Sequence, residues 1–345
     1  MSKIEKNIFI FNFVSKSEFV VIGLFFLSLV ISLFLATSIG GISTSLGDLF
    51  FADSSSLNSR VLLEIRIPRV LLAGFVGASL GLAGASLQGL FRNPLADPGL
   101  IGVSAGAALA ASFVIVIGSN YFSENFFGTL LLPLSAILGA GIVTFLLFSF
   151  TKGFGQSGVT YMILVGIAIN AFATVGIGIL TFISTDSQLR GLTFWTMGSF
   201  GGANWKILIP AICMILITVL WLIKSARKLD LIQLGEAEAY RLGVDVKYLK
   251  FKVIVGSAII VGISVSLSGI IGFVGLVIPH LVRLIGGAKH EYVLTGSVLL
   301  GSSIMIFADL VSRTIILPAE LPVGLITSAI GAPFFLWLIF RIQNK

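Results

Sequence analysis

Apolar residues run along this chain in long blocks, and the polar residues that separate them fall in short clusters. After a polar stretch of about 18 residues carrying Lys3, Lys6 and Lys16, an apolar block extends from Phe19 to about Ile39. Further blocks cover roughly 70–90, 99–118, 128–150, 160–183, 205–223, 252–271, 273–287, 292–312 and 323–340. A bilayer span takes roughly 20 apolar residues, so the pattern predicts ten helical spans, the eighth being notably short. The first block exceeds the roughly 7–15-residue core of a secretory signal. Although Ala36 and Ser38 are small, it reads as a retained span. Residues 1–345 therefore read as one all-α membrane domain, with no connection long enough to hold a soluble one.

Composition narrows the class further. The chain is 57% hydrophobic and only 11% charged, with a mean hydropathy of +1.09. A soluble globule carries roughly 25% charged residues. Cys213 stands alone in an apolar run and is expected to pack in the core, so a disulfide scaffold is excluded. The net charge of +7 is read by position rather than as a nucleic-acid signal. With the N-terminus cytoplasmic, the inner side holds Lys3, Lys6, Lys16, Arg92, Lys152, Lys224, Arg227, Lys228, Arg241, Lys247, Lys250, Lys252, Arg283, Lys289, Arg341 and Lys345. The outer side holds Arg60, Arg66, Arg69, Arg190, Lys206 and Arg313. Sixteen against six supports that orientation, with about 18 N-terminal residues and the C-terminus both inside.

Gly77, Gly81, Ala85 and Gly89 recur every four residues, and Gly102, Gly106 and Ala110 repeat the device. Such stripes let helix backbones approach in lipid, and here they read as packing. No Gly-x-x-x-x-Gly-Lys-Ser/Thr stretch occurs, so the chain has no nucleotide-binding loop of that type. His280 and His290 stand ten residues apart, with neither Cys nor carboxylate at a metal-ligand spacing. Carboxylates deep in the spans are nearly absent, and Asp309 lies near one end. That counts against an ion-coupled secondary carrier, which places them near the midplane. A membrane enzyme would need a polar catalytic cluster, and none is found. The chain reads as a pathway whose energy comes from a partner.

The longest polar connection runs from Lys224 to Lys252. Within it, Leu234-Gly-Glu-Ala-Glu-Ala-Tyr-Arg-Leu-Gly-Val244 predicts a short helix, placed at about 231–244. Glu236 and Glu238 near its start and Arg241 near its end complement the helix dipole, and Gly243 is placed to stop it. A bare linker needs no such capping, so the helix reads as a docking surface for a cytoplasmic partner. A loop lying on the membrane is the alternative. Arg92-Asn-Pro-Leu-Ala-Asp-Pro98 cannot be helical throughout, because its two prolines remove donors and fix φ. It predicts a rigid turn between the second and third spans.

These segments resemble the FecCD family of importer permeases, which serve binding-protein-dependent uptake of iron–siderophore complexes, haem and cobalamin. Arg66-Ile-Pro-Arg69, Gly77-Ala-Ser-Leu-Gly-Leu-Ala-Gly-Ala-Ser-Leu-Gln88 and Arg92 to Pro98 carry the likeness first. Trp195-Thr-Met-Gly198, Leu234 to Val244 and Gly269-Ile-Ile-Gly-Phe-Val-Gly-Leu-Val-Ile-Pro-His280 continue it. Asp309, Arg313, Glu320-Leu-Pro-Val-Gly324 and Gly331-Ala-Pro-Phe334 close it, in order, from about residue 60 to the C-terminus.

The resemblance implies a ten-helix permease of the cobalamin-permease-like, type II importer kind, in a bacterial inner membrane. It implies a homodimer around a central pathway, two ATP-binding subunits below, and a periplasmic or lipid-anchored binding protein above. ATP is then used by the partner ATPase, and no cofactor is bound by this chain. Leu234, Gly235, Glu236, Glu238, Arg241, Leu242 and Gly243 match the family's coupling helix. Arg66, Arg69 and Arg313 match arginines that pair with glutamates of the binding protein, and exposed pairs of this kind give orientation and association rate. Two other readings remain open: Arg66 and Arg69 as headgroup anchors, and Arg313 as the partner of Asp309 one turn earlier. Ser157 and Thr160 fall in the loop that forms the family's cytoplasmic gate. Val159 stands where the cobalamin permease has a hydroxyl, and a simple turn is the other reading.

Substrate choice rests on residues 183–205, where Arg190 precedes Phe194-Trp-Thr-Met-Gly-Ser-Phe-Gly-Gly202. An arginine beside aromatics on the translocation pathway suits a flat macrocycle with two propionates, and the wording is most like haem permeases. Haem is therefore favoured, with ferric siderophore and cobalamin as alternatives. His280 is expected to make a structural hydrogen bond rather than to ligate haem.

Overall fold

A computed structural model describes residues 16–40, 57–118, 126–151 and 158–343. The chain is all-helical there: α1 (Lys16–Ser38), α2 (Leu57–Phe91), α3 (Val103–Val116), α4 (Phe126–Thr151), α5 (Gly158–Ile183), α6 (Asp186–Met197), α7 (Trp205–Ile223), α8 (Ala226–Ile232), α9 (Glu236–Arg241), α10 (Val246–Ser268), α11 (Val274–Gly286), α12 (His290–Thr314) and α13 (Val323–Gln343). Seven of these, α1, α2, α4, α5, α7, α10 and α12, are long and apolar enough to cross a membrane; α3, α11 and α13 are shorter apolar helices. Together they correspond one to one with the ten predicted blocks.

Three boundaries differ from expectation. α2 starts at Leu57, well before the apolar block at 70, so Arg66 and Arg69 are helical. A single turn of π-helix, Val61–Arg66, precedes Pro68, whose missing N–H cannot complete a regular turn. α10 starts at Val246, because Asp245 caps it by accepting from the Tyr248 N–H at 2.9 Å. The helix expected at about 231–244 is two pieces, α8 and α9, broken at Gly235, where φ is +119°.

Burial identifies the central helix. In its most apolar stretch α2 is 83% buried, against 17% for α1 and for α5. The small-residue stripe explains why. A Cβ on Gly77 would overlap the Gly301 carbonyl, one on Gly81 the Ser297 carbonyl, and one on Gly89 the His290 ring. α12 thus lies antiparallel along the whole stripe, and α2 and α12 form the most extensive helix pair. Ser302 adds a hydrogen bond from its hydroxyl to the Gly74 carbonyl at 2.9 Å. Between α3 and α4, Gly106 and Gly139 meet in the same way. Cys213, expected in the core, is exposed on α7; an apolar run in a membrane helix does not distinguish a lipid-facing face from a packed one.

After α10 the chain turns back through Gly269–Phe273 without forming a helix. Phe273 has φ +68°, an outlier for a bulky residue, and its side chain lies against Gly331 of α13. The Gly269 N–H bonds to the Val265 carbonyl at 2.8 Å, and the Ser268 carbonyl accepts from Ser199 N–H at 2.8 Å. Irregular backbone inside a membrane domain survives where protein surrounds it.

If the α2–α12 approach needs a bare backbone, Gly77→Val will separate the pair and cost about 1–3 kcal/mol. Gly23→Val, on α1 with nothing within 4 Å, should be neutral. Thermal aggregation of the detergent-solubilised variants compares the two.

Candidate functional site

Polar groups gather at the two ends of the bundle, and each end is organised around the α2–α12 seam. At the first end, Arg69 is buried and donates to both Asp309 oxygens, with Nη2 at 2.8 Å and Nε at 3.0 Å from Oδ1. Its Nη1 reaches both Glu320 oxygens at 2.9 Å. Arg313, one turn after Asp309, sits 3.6 Å from Asp309 Oδ2 and donates to the Ala36 carbonyl of α1. Arg66 donates to the Thr37 and Ser38 carbonyls at 3.1 Å, the orphan acceptors at the end of α1. Asp309 is 1% exposed, whereas the Glu320 side chain is 47% exposed.

This overturns the expected exposure of the three arginines. Arg66, Arg69 and Arg313 are 5%, 7% and 7% exposed and serve contacts within the chain. Of the readings left open by the sequence, Arg313 does meet Asp309, whereas Arg66 is buried against the last carbonyls of α1 rather than reaching out as a headgroup anchor. Glu320 has no such precedent in the sequence reading. Its link to Arg69 spans 251 positions, and nothing in the local pattern announces it.

Beside this cluster lies α6, started by a Thr185–Gln188 capping box, in which each residue bonds the other's backbone. That Thr-x-x-Gln signal was legible in the sequence. The Gln188 amide also bonds the Val116 carbonyl at 2.8 Å, seating α6 on the end of α3. Arg190 and Phe194 stand exposed on α6, and no ion pair engages Arg190 among the described residues. The Gly198 carbonyl accepts from Val323 N–H at 3.0 Å, tying α6 to the start of α13. A cavity of about 380 Å³ opens between Phe194, Trp195, Ser199, Asn204 and Ser268.

At the second end, α8 and α9 project from the bundle. α9 carries Glu238 and Arg241 in an i,i+3 pair at 3.2 Å, and Glu236 pairs with Lys250 of α10 at 2.8 Å. Gly243 has φ +86° and closes the helix as expected. Leu234, Tyr240 and Leu242 are 64%, 73% and 57% exposed, an apolar patch on an otherwise charged projection. α8 holds this projection to the seam. Asp230 Oδ1 accepts from the His290 backbone N–H at 3.0 Å and pairs with its Nδ1 at 2.7 Å. The Gln233 amide donates to the Gly89 carbonyl at 2.7 Å. Arg283 donates to Gln88, whose amide also contacts the Gly275 carbonyl at 3.4 Å.

Local hydrogen bonds shape the turn after α2. Arg92 takes a left-handed φ of 51°, the Asn93 side chain accepts from Leu95 N–H, and Asp97 accepts from Gly99 N–H at 2.7 Å. Ser157 of the expected gate lies outside the described residues. Thr160 falls in the first turn of α5. His280 makes an edge contact with Phe334, ring centroids 6.1 Å apart. No group of three or more His, Cys, Asp or Glu side chains that could hold a metal occurs among the described residues.

Three comparisons bear on this geometry. Residues 25–341 match the FecCD transport family. The hemin transport system permease protein of Yersinia pestis is 41% identical over 94% of this chain and 96% of its own length. The vitamin B12 import system permease protein of Serratia proteamaculans is 40% identical over 81% of this chain and 82% of its own. A metal-chelate type ABC transporter, solved in an inward-facing conformation, superposes with a TM-score of 0.82 at 34% identity. That superposition covers 93% of this chain and 99% of the solved one.

Removing Asp309 leaves two buried guanidiniums without their shared counter-charge. Asp309→Ala is expected to cost about 3–5 kcal/mol, and Glu320→Gln, at a half-exposed position, less than about 1 kcal/mol. Thermal unfolding of the purified variants measures both, and equal losses would contradict the unequal burial on which the difference rests.

Proposed function

The chain belongs to the FecCD transport family, and we propose that it is the membrane permease of a bacterial importer that carries haem inward on ATP hydrolysed by a separate subunit. The observation that carries the proposal is the division of labour between the two ends of the seam. One end presents a capped, partly apolar helix on a braced projection. The other presents an arginine–carboxylate cluster beside the exposed Arg190 and Phe194.

In this reading the end bearing α8 and α9 is cytoplasmic, as are both termini, and the protein sits in the inner membrane. Leu234, Gly235, Glu236, Glu238, Arg241, Leu242 and Gly243 form the coupling surface for one of two ATPase subunits. The exposed Leu234, Tyr240 and Leu242 supply apolar anchors, and Glu238 with Arg241 supplies charge register. The opposite end receives the substrate-binding protein. There Arg66, Arg69 and Arg313 act from beneath the surface, ordering the end of α1 and the Glu320 segment on which that protein rests. Two copies of the chain enclose the pathway, with Arg190 and Phe194 facing it and Ser157 and Thr160 at its inner mouth.

Similarity to the hemin permease supports haem, and the chemistry of Arg190 beside Phe194 and Trp195 suits propionates on a flat macrocycle. Cobalamin is the second reading, favoured by a B12 permease of nearly equal identity. An ion-coupled carrier is disfavoured because Asp309, buried near the end of α12, is held between two arginines rather than free to exchange a cation.

Three experiments test this. In proteoliposomes holding the permease and its ATPase, uptake should require ATP, and gradient-driven uptake without ATP would overturn the importer reading. A strain lacking this gene should fail to grow on haemin as iron source; failure only on a ferric siderophore or on cobalamin supply would reassign the cargo. Exchanging charges by Glu238→Arg with Arg241→Glu keeps the intrahelical pair but inverts the surface. It should abolish transport with the permease still folded, and normal transport would remove α9 from the coupling role.

A further inference from the structure

Where α7 ends and α10 begins, three lysines lie near one another, and among the described residues no acid pairs with them. Lys252, in the second turn of α10, is only 8% exposed, and its Nζ lies 5.6 Å over the Trp221 ring near the end of α7. The charges of Lys228 and Lys224 both act on it repulsively. Lys228 in turn lies 5.8 Å over the Tyr248 ring. Cation–π contacts offset part of the desolvation of an ammonium, but they leave three positive charges in one place.

The carboxylates of the same connection are committed elsewhere. Asp230 pairs with His290, Glu236 with Lys250, Glu238 with Arg241, and Asp245 accepts the Tyr248 N–H. Glu291, across the gap on α12, holds Arg227. Among the described residues no ion pair reaches Lys224, Lys228 or Lys252. The described residues therefore leave this cluster without a counter-charge of its own.

Geometry on α7 indicates a source for one. Cys213, Ile217, Leu220 and Lys224 follow one another at helical spacing on a single exposed face, with Ile217 69% and Leu220 62% exposed. An apolar, outward-facing stripe on a membrane span therefore runs straight into the lysine cluster, and an indole marks the junction. Aromatic rings of this kind sit at the headgroup level, and basic pockets between helices at that level hold anionic headgroups.

We propose that Lys224, Lys228 and Lys252, with Trp221, form a binding site for the phosphate of an anionic phospholipid whose acyl chains lie along Ile217 and Leu220. The lipid phosphate supplies a counter-charge beside the buried Lys252. It also fixes the root of the α8–α9 projection, since Lys228 is on α8 and Lys252 on α10. The site does not depend on which substrate is carried or on whether α9 docks an ATPase.

The test uses the full chain in nanodiscs of phosphatidylcholine alone or with phosphatidylglycerol, following thermal unfolding. The anionic lipid should raise the unfolding temperature by about 2–4 °C. Lys228→Gln and Lys224→Gln, both at exposed positions, should each reduce that gain, and Lys252→Met should abolish it. Lys289→Gln, an exposed cation on the same side, should leave it intact. An equal loss in Lys289→Gln would mean diffuse surface attraction and overturn the site, as would an undiminished gain in the lysine variants. Inorganic phosphate added to pure phosphatidylcholine nanodiscs should have no effect, and reproduction of the gain by phosphate alone would overturn the lipid assignment.

Discussion

The close approach of α2 to α12 is the constraint on which the rest of the protein depends. Without a hydrophobic drive between helices in lipid, association rests on van der Waals contact and on hydrogen bonds that no water competes for. Glycines at 77, 81 and 89 remove the Cβ atoms that would hold the two backbones apart. The pair then runs antiparallel through the middle of the fold, and α1, α10 and α11 pack around it. Both polar ends of the protein are built where this seam emerges.

That arrangement gives the two ends different chemistry from the same helices. At one, α2 contributes Arg69 and α12 contributes Asp309 and Arg313, so two buried arginines share one carboxylate across the seam, and Glu320 supplies Arg69 with a second. Such a set is stable only when complete, because any member left alone is a buried, unpaired ion. At the other, the last turn of α2 is held through the Gly89 carbonyl by Gln233, and α12 begins at His290, held by Asp230. α8 is thereby fastened to both central helices at once, and the projecting α9 is braced by the core of the bundle rather than hung from a loop. A force applied at α9 has a direct mechanical route to the seam.

Unbalanced charge follows the same economy of position. Where the chain supplies its own counter-ions, as around Asp309, the arginines are buried and fixed. Where it does not, as around Lys252, the cations gather at the level where a membrane can supply the phosphate. Internal compensation favours a fixed geometry, while external compensation makes local order depend on lipid composition.

Hydropathy alone determined the ten apolar helices, because the cost of unsatisfied backbone in lipid leaves little alternative to a helix. Local chemistry likewise determined the Arg92–Pro98 turn and the charged α9 with its glycine stop, and Thr185 to Gln188 carried a capping signal that was there to be read. Segregation of Arg66, Arg69 and Arg313 at one end and the Lys224–Lys252 segment at the other was also legible, since a helix that crosses must deliver its flanking charges to opposite sides. Tertiary structure alone decided which faces those helices turn inward. Cys213 lies outside and Arg69 inside, because apolar residues suit lipid and core equally and an arginine is buried wherever carboxylates await it. The partners of Arg69 at positions 309 and 320, and of His290 at 230, are set by the packing of distant helices, which no local pattern encodes.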